Sequence, residues 1–187
     1  PPRRRLATST GEVSALSALY AASAGTTWTN KANWQNGDPC TASWYGVGCS
    51  SGVVKELFLG TNGLHGSVPS ELGGLAALTD LRLEKNTLTA TLPTELGQLT
   101  AASTAFRFQS NLLDDTVPSE FGRLSALTAS FQVNSNSFSS LVPSELGLMS
   151  GLNANVFLNS NSFSGPMPSE LGQLTKLTKN FNLFNNE

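Results

Sequence analysis

Residues 134–147 read NSNSFSSLVPSELG, and residues 159–172 read NSNSFSGPMPSELG. This repetition constrains the fold more than any other feature of the chain. Pro69, Pro93, Pro118, Pro143 and Pro168 recur at intervals of 24, 25, 25 and 25 residues, each opening a Pro-Ser/Thr-Glu-Leu/Phe-Gly string. Asn62, Asn86, Asn111, Asn136, Asn161 and Asn186 keep the same beat. A unit this short cannot bury an apolar face alone. Stacked copies bury one continuous core, so a fixed period in the twenties specifies a solenoid.

Each coil divides into parts. Leu57/Leu59, Leu81/Leu83, Phe106/Phe108, Phe131/Val133, Val156/Leu158 and Phe181/Leu183 alternate with other residues, the pattern of a short strand with one buried face. Stacking predicts a parallel sheet along one side. The Asn three positions after each pair marks an inward turn, where buried backbone groups need partners. Asn supplies a donor and an acceptor and tolerates tight turns, so the Asn column is expected to be structural. Leu64, Leu88, Leu113, Phe138 and Phe163 are expected to point inward, as are Val68, Leu92, Val117, Val142 and Met167. After the Pro, leucines such as Leu72, Leu75 and Leu78 fall at helical spacing. The Ser or Thr after the Pro is expected to cap that turn, with the next Glu at its positive end.

Taken together, the string L-x-G-x-(V/M)-P-x-E-L-G-x-L resembles the plant-type leucine-rich repeat (LRR), as in receptor-kinase ectodomains and polygalacturonase-inhibiting proteins. The resemblance covers about residues 9–187. Asp38-Pro39-Cys40 followed by Trp44-Tyr45-Gly46-Val47-Gly48-Cys49 is similar to the N-terminal cap motif of that family. Residues 13–24, with Leu16, Leu19 and Tyr20 on one face, look like its capping helix, and Ser9-x-x-Glu12 is a capping box for it. Trp28 and Trp34 are expected to seal the first coil. The repeats depart from the land-plant form. Glycine is usual two places before the V/I, but that position reads Gly66, Ala90, Asp115, Ser140 and Gly165. In style this is similar to algal and protist LRR proteins.

The resemblance implies an α/β fold: a curved leucine-rich repeat solenoid with short parallel strands on the concave face. Short helical turns and loops follow on the convex face, and a helical, disulfide-bonded cap closes the N-terminus. The expected organisation is an extension at 1–10, the cap at 11–52 and repeats at 53–187, five complete and a sixth partial. The family pairs the two cysteines, so Cys40 and Cys49 are expected to be bonded in an oxidising compartment; the alternative is a pair of reduced thiols. No Asn is followed two places later by Ser or Thr, so no N-glycosylation acceptor exists. An extracellular or secretory location is expected, with a thylakoid lumen as the alternative.

Composition narrows the partners. The formal net charge is −2, which gives no reason to expect nucleic acid. Charged residues make up 13% of the chain, about half the usual share, so Ser, Thr, Asn and Gly dress the surface. No apolar run is long enough to span a membrane. Signals for catalysis are thin. His65 is the only histidine, and one His with two Cys makes no zinc set, so neither metal nor cofactor is expected. Asp114-Asp115 reads as a solvated loop, and Arg3-Arg4-Arg5 as a solvated tail.

Function is therefore expected on the concave face, which solenoids use for binding. One outward column comprises Phe58, Arg82, Arg107, Gln132, Phe157 and Asn182; the next comprises Gly60, Glu84, Gln109, Asn134, Asn159 and Phe184. Arg82 and Arg107 stand on adjacent strands and together would clamp a carboxylate or phosphate, unless Glu84 and Asp80 neutralise them. The expected function is a non-catalytic protein-interaction or scaffolding module. The alternatives are a structural subunit of a larger, membrane-associated assembly, and an inhibitor-like protein that binds polysaccharide or its hydrolases. The chain stops at Glu187 inside a coil, so the C-terminal edge is expected to be covered by further chain or by a partner.

Overall fold

The computed structural model describes residues 7–187; the triple arginine lies outside them. Helix α1 (Thr10–Ala22) opens the cap. Ser9 is its N-cap: its hydroxyl accepts from the Glu12 amide while the Glu12 side chain accepts from the Ser9 amide. The other oxygen of Glu12 accepts from the Val54 amide at 3.0 Å, which ties the helix to the first coil. Leu16, Leu19, Trp28, Trp34 and Trp44 are buried beneath the cap. Two strands follow, β1 (Val47–Ser50) and β2 (Val53–Phe58), paired antiparallel. Cys40 and Cys49 are disulfide-bonded, their Cα atoms 5.6 Å apart.

From β2 onward each coil contributes two strands. The pairs are β3 (His65–Gly66) and β4 (Asp80–Arg82), β5 (Thr87–Ala90) and β6 (Ala105–Arg107), and β7 (Leu112–Asp115) and β8 (Ser130–Gln132). Then come β9 (Ser137–Ser140) and β10 (Val156–Phe157), and finally β11 (Ser162–Phe163) and β12 (Phe181–Asn182). They form a seven-stranded sheet in the order β1-β2-β4-β6-β8-β10-β12 and a five-stranded sheet in the order β11-β9-β7-β5-β3. The parallel pairs keep one register per coil, for example Leu81 opposite Phe106 and Phe106 opposite Phe131. The second sheet replaces what reads in the sequence as loop. The strands β5, β7, β9 and β11 each turn one residue inward, and Leu88, Leu113 and Phe138 are fully buried.

Short 3-10 turns close the coils, the first at Ser70–Gly74. Proline, not the Ser or Thr after it, occupies the N-cap, and no side chain caps the turn. The Ser or Thr hydroxyl instead lies 3.3–3.4 Å from the carboxylate of the next Glu. The Gly of the Glu-Leu-Gly string is dictated by stacking: a Cβ on Gly97 would sit 2.5 Å from the Glu120 carbonyl oxygen of the next coil.

Leucines, valines and phenylalanines fill the axis, and Phe106, Phe108, Phe121 and Phe131 form a stacked and edge-to-face cluster in the middle coils. Two residues expected inside are not. Met167 is 48% and Phe181 41% exposed, because both lie in the last coils, where no following coil packs over them.

The asparagines join coil to coil. Asn86 Oδ1 accepts from the Asn62 and Leu64 amides of the preceding coil, and its Nδ2 donates to the Leu59 and Leu83 carbonyls. Asn111 accepts from Leu88 N and donates to the Leu83 and Phe108 carbonyls. Asn136, Asn161 and Asn186 repeat the pattern on Leu113, Phe138 and Phe163. The residue before each ladder Asn (Thr61, Lys85, Ser110, Ser135, Ser160 and Asn185) has φ between 54° and 58°, a left-handed step that swings the Asn amide inward.

Two outcomes are expected. Asn111→Ala strands the Leu88 amide and leaves the Leu83 and Phe108 carbonyls with one side-chain donor each, from Asn86 and Asn136, and urea denaturation should show a loss on the order of 2 kcal/mol. The second concerns Asp38, whose carboxylate accepts from Thr8 N, Thr8 Oγ1, Cys40 N and Thr41 N. Burial works to raise its pKa, but the hydrogen bonds from Thr41, Thr8 and Cys40 outweigh it and hold it below the ordinary value of 3.8. A depressed carboxyl stabilises the fold above its unfolded-state pKa and loses that contribution as pH falls through the folded value. Protection of the Thr8, Cys40 and Thr41 amides from exchange should therefore persist at neutral pH and fade below about pH 4, whereas in Asp38→Asn, which has no carboxyl to titrate, it should already be weaker at neutral pH and not change through this range.

Candidate binding face

The outward side of the seven-stranded sheet follows from strand alternation. With Leu57 and Leu59 inside, Glu56, Phe58 and Gly60 face out, and the parallel register carries those columns from coil to coil about 4.8 Å apart. Aromatic side chains stand towards the ends of the columns: Phe58 is 36% and Phe184 64% exposed, and Phe157 is half-buried. Polar side chains occupy the middle: Arg82, Glu84, Arg107, Gln109, Gln132, Asn134 and Asn159, all half-buried, with Asn182 beyond Phe157.

The two arginines are not equivalent. Arg82 forms a fork to Asp80, two residues earlier on the same strand, with Nε 2.9 Å from Oδ1 and Nη2 2.7 Å from Oδ2. Its guanidinium also lies 4.6 Å from the centre of the Phe58 ring. The Asp80 hydrogen bond raises the pKa of Arg82, more than burial lowers it. Asp80 is 4% exposed, so the pair is fixed in place. Arg82 therefore contributes a neutralised, stacked surface and not half of an anion clamp.

In the next coil Ala105 stands where Asp80 does, and Arg107 has no carboxylate within ion-pair distance among the described residues. Its Nε donates to Ser130 Oγ at 3.2 Å, an oxygen that also accepts from Gln132 Nε2 at 2.8 Å. Arg107 makes no other side-chain hydrogen bond among the described residues. Glu84, expected as a counter-ion, lies instead over Gly60: a Cβ there would be 2.9 Å from Glu84 Cδ.

The neighbouring column has a deficit of donors. Glu84 Oε2, Gln109 Oε1 and Asn134 Oδ1 are shielded from solvent, and none accepts a hydrogen bond. They belong to three consecutive coils. Buried acceptors without donors are costly, and natural structures hold few of them. Ser130, whose hydroxyl oxygen holds Arg107 and Gln132, was not singled out from the sequence; Asp80 neutralises Arg82 as the sequence allowed, and the Asp-x-Arg spacing puts both on one side of the strand.

Other candidates are scattered. His65 is exposed on β3, and Asp114 and Asp115 are exposed on β7, away from the outward columns. Among the described residues no group of three or more His, Cys, Asp or Glu could hold a metal ion, and no helix is long and apolar enough to cross a membrane.

No family model matches the chain. A probable LRR receptor-like serine/threonine-protein kinase of Arabidopsis thaliana is 36% identical over 90 residues, covering 46% of this chain but 9% of that protein. The LRR ectodomain of the Arabidopsis receptor kinase GASSHO1/SCHENGEN3, solved in complex with CASPARIAN STRIP INTEGRITY FACTOR 2, is 34% identical with a TM-score of 0.68, over 73% of this chain and 16% of that one. A plant ice-binding protein superposes with a TM-score of 0.78 over 97% of this chain and 58% of that one, at 24% identity. The chain thus spans a small fraction of the receptors it matches. The last superposition, below a quarter identity, speaks to fold alone: one solenoid carries unrelated tasks, and task must be argued from the face. The chain is a leucine-rich repeat solenoid with a disulfide-bonded N-terminal cap, similar to the ectodomains of plant receptor kinases.

Proposed function

We propose that the chain is a non-catalytic recognition module that binds a polypeptide segment across the outward face of its seven-stranded sheet. The observation that carries this reading is the set of unsatisfied acceptors on Glu84, Gln109 and Asn134 in three successive coils. A polypeptide laid along the solenoid axis brings main-chain N–H groups and side-chain donors past each coil in turn. Small reorientations of the three side chains then pair what the free protein leaves unpaired. Arg107 adds a fork suited to a carboxylate of the same partner, and Phe58, Phe157 and Phe184 supply apolar anchors. The resemblance to an ectodomain solved with a bound factor supports this reading, and the Cys40–Cys49 bond fits an oxidising compartment.

Panning a random-peptide library on the immobilised protein tests it. Binders should compete with one another for one site. Arg107→Ala should weaken them about tenfold with unchanged stability, as expected for loss of a charge-assisted contact. Arg82→Ala should act differently: it leaves Asp80 buried and unpaired, at a cost on the order of 2 kcal/mol in folding stability. A library that yields no competing binders, or binders indifferent to Arg107, would remove the basis of the proposal.

A further inference from the structure

A groove of about 510 Å³ runs across three coils on another side of the molecule, where β5, β7 and β9 give way to the 3-10 turns. Leu92, Val117 and Leu141 line it together with the carboxylates of Asp115 and Glu120. No basic side chain lines it. Among the described residues neither carboxylate is in an ion pair; Arg123, one turn beyond Glu120, lies outside the lining. Leu141 is 57% exposed, where the preceding coils carry Thr91 and Thr116.

The backbone of this flank differs between the outer and the middle coils. Ala90, Asp115 and Ser140 have φ of 63°, 64° and 66°, a conformation that favours glycine. The first and last coils hold Gly66 and Gly165 at this position, with φ of 109° and 75°. Stacking therefore does not require a side chain here, and an L-residue is strained. In the middle coils the chain carries that strain, and the side chains of Asp115 and Ser140 line the groove as a result.

We infer that this groove binds an extended polypeptide segment in which a basic side chain lies beside an aliphatic one. The basic group pairs with Asp115 and Glu120. The aliphatic group covers Leu141 against Leu92 and Val117. The hydroxyl of Ser140 is placed for the main chain of the segment. This site is separate from the outward face of the seven-stranded sheet and does not depend on it.

The test uses isotope-labelled protein and a capped peptide with a central Leu-Arg-Leu, alongside Leu-Gln-Leu and Leu-Glu-Leu controls. The Arg peptide should give saturable amide shifts over residues 115–120 and 140–141, and the Glu peptide none. Asp115→Gly relieves the strained φ while removing the carboxylate, so the melting temperature should rise as affinity falls about fivefold or more. Asp115→Asn, which keeps the Cβ, should lose affinity to a similar degree, and Leu141→Thr should weaken both the Arg and Gln peptides. The inference is overturned by shifts confined to the strands around Glu84 and Gln109, by absence of saturation at millimolar peptide, by equal binding of the Glu peptide, or by an Asp115→Gly protein that binds undiminished.

Discussion

The structure depends on one side chain repeated down the stack. From Asn86 onward each ladder asparagine accepts from a backbone amide of the preceding coil and donates to a carbonyl of that coil and of its own, as in the Asn111 bonds to Leu88, Leu83 and Phe108, while Asn62 bonds the Asn30 amide and carbonyl of the cap. The inward turn would otherwise bury those groups unpaired. Aspartate could not donate and serine could not reach in both directions, so only an amide of this length satisfies both coils. Apolar stacking drives coils together without specifying their rotation. The ladder specifies it, and fixed rotation is what aligns the outward residues into columns.

That alignment turns local sequence differences into surface chemistry. Arg82 and Arg107 occupy the same place on adjacent strands, yet one is held by Asp80 and the other faces Ala105. One difference between the coils, Asp80 against Ala105, separates an internal ion pair from a guanidinium held only by a serine hydroxyl. The flank behaves in the same way: Gly66 and Gly165 keep the backbone unstrained in the outer coils, while Asp115 and Ser140 accept a left-handed φ and line a groove. In a repeat protein, departures from the repeat are where function is to be sought, since the shared residues are already committed to stacking.

Much of this was legible in the sequence because its causes are local or periodic. The strand pairs from Leu57/Leu59 to Val156/Leu158 are read from alternation, and the solenoid from the spacing of Pro69 through Pro168. The second sheet was not, because strands such as Thr87–Ala90 turn only one residue inward, and one residue makes no period. Proline as the cap of each 3-10 turn escaped the expectation that serine serves there, since serine propensity for caps was overridden by the tight turn. Contacts across 30 and 42 residues leave no mark in any window of sequence: Asp38 with Thr8 ties the entry of the helix to the rest of the cap, and Glu12 with Val54 fixes the cap to the first coil. Exposure of Met167 and Phe181 follows from position in the stack, which a repeat pattern does not encode.

The asparagine ladder locks successive coils into one unit with a fixed register. Native-state hydrogen exchange at the amides that the ladder binds, Leu64, Leu88, Leu113 and Phe138, measures this directly. These amides should exchange together, at rates set by opening of the whole stack, and far more slowly than those of the exposed cap residues Lys31 and Asn33. Independent exchange at each of the four, at rates close to those exposed positions, would mean that the coils open separately and that the ladder does not hold the register.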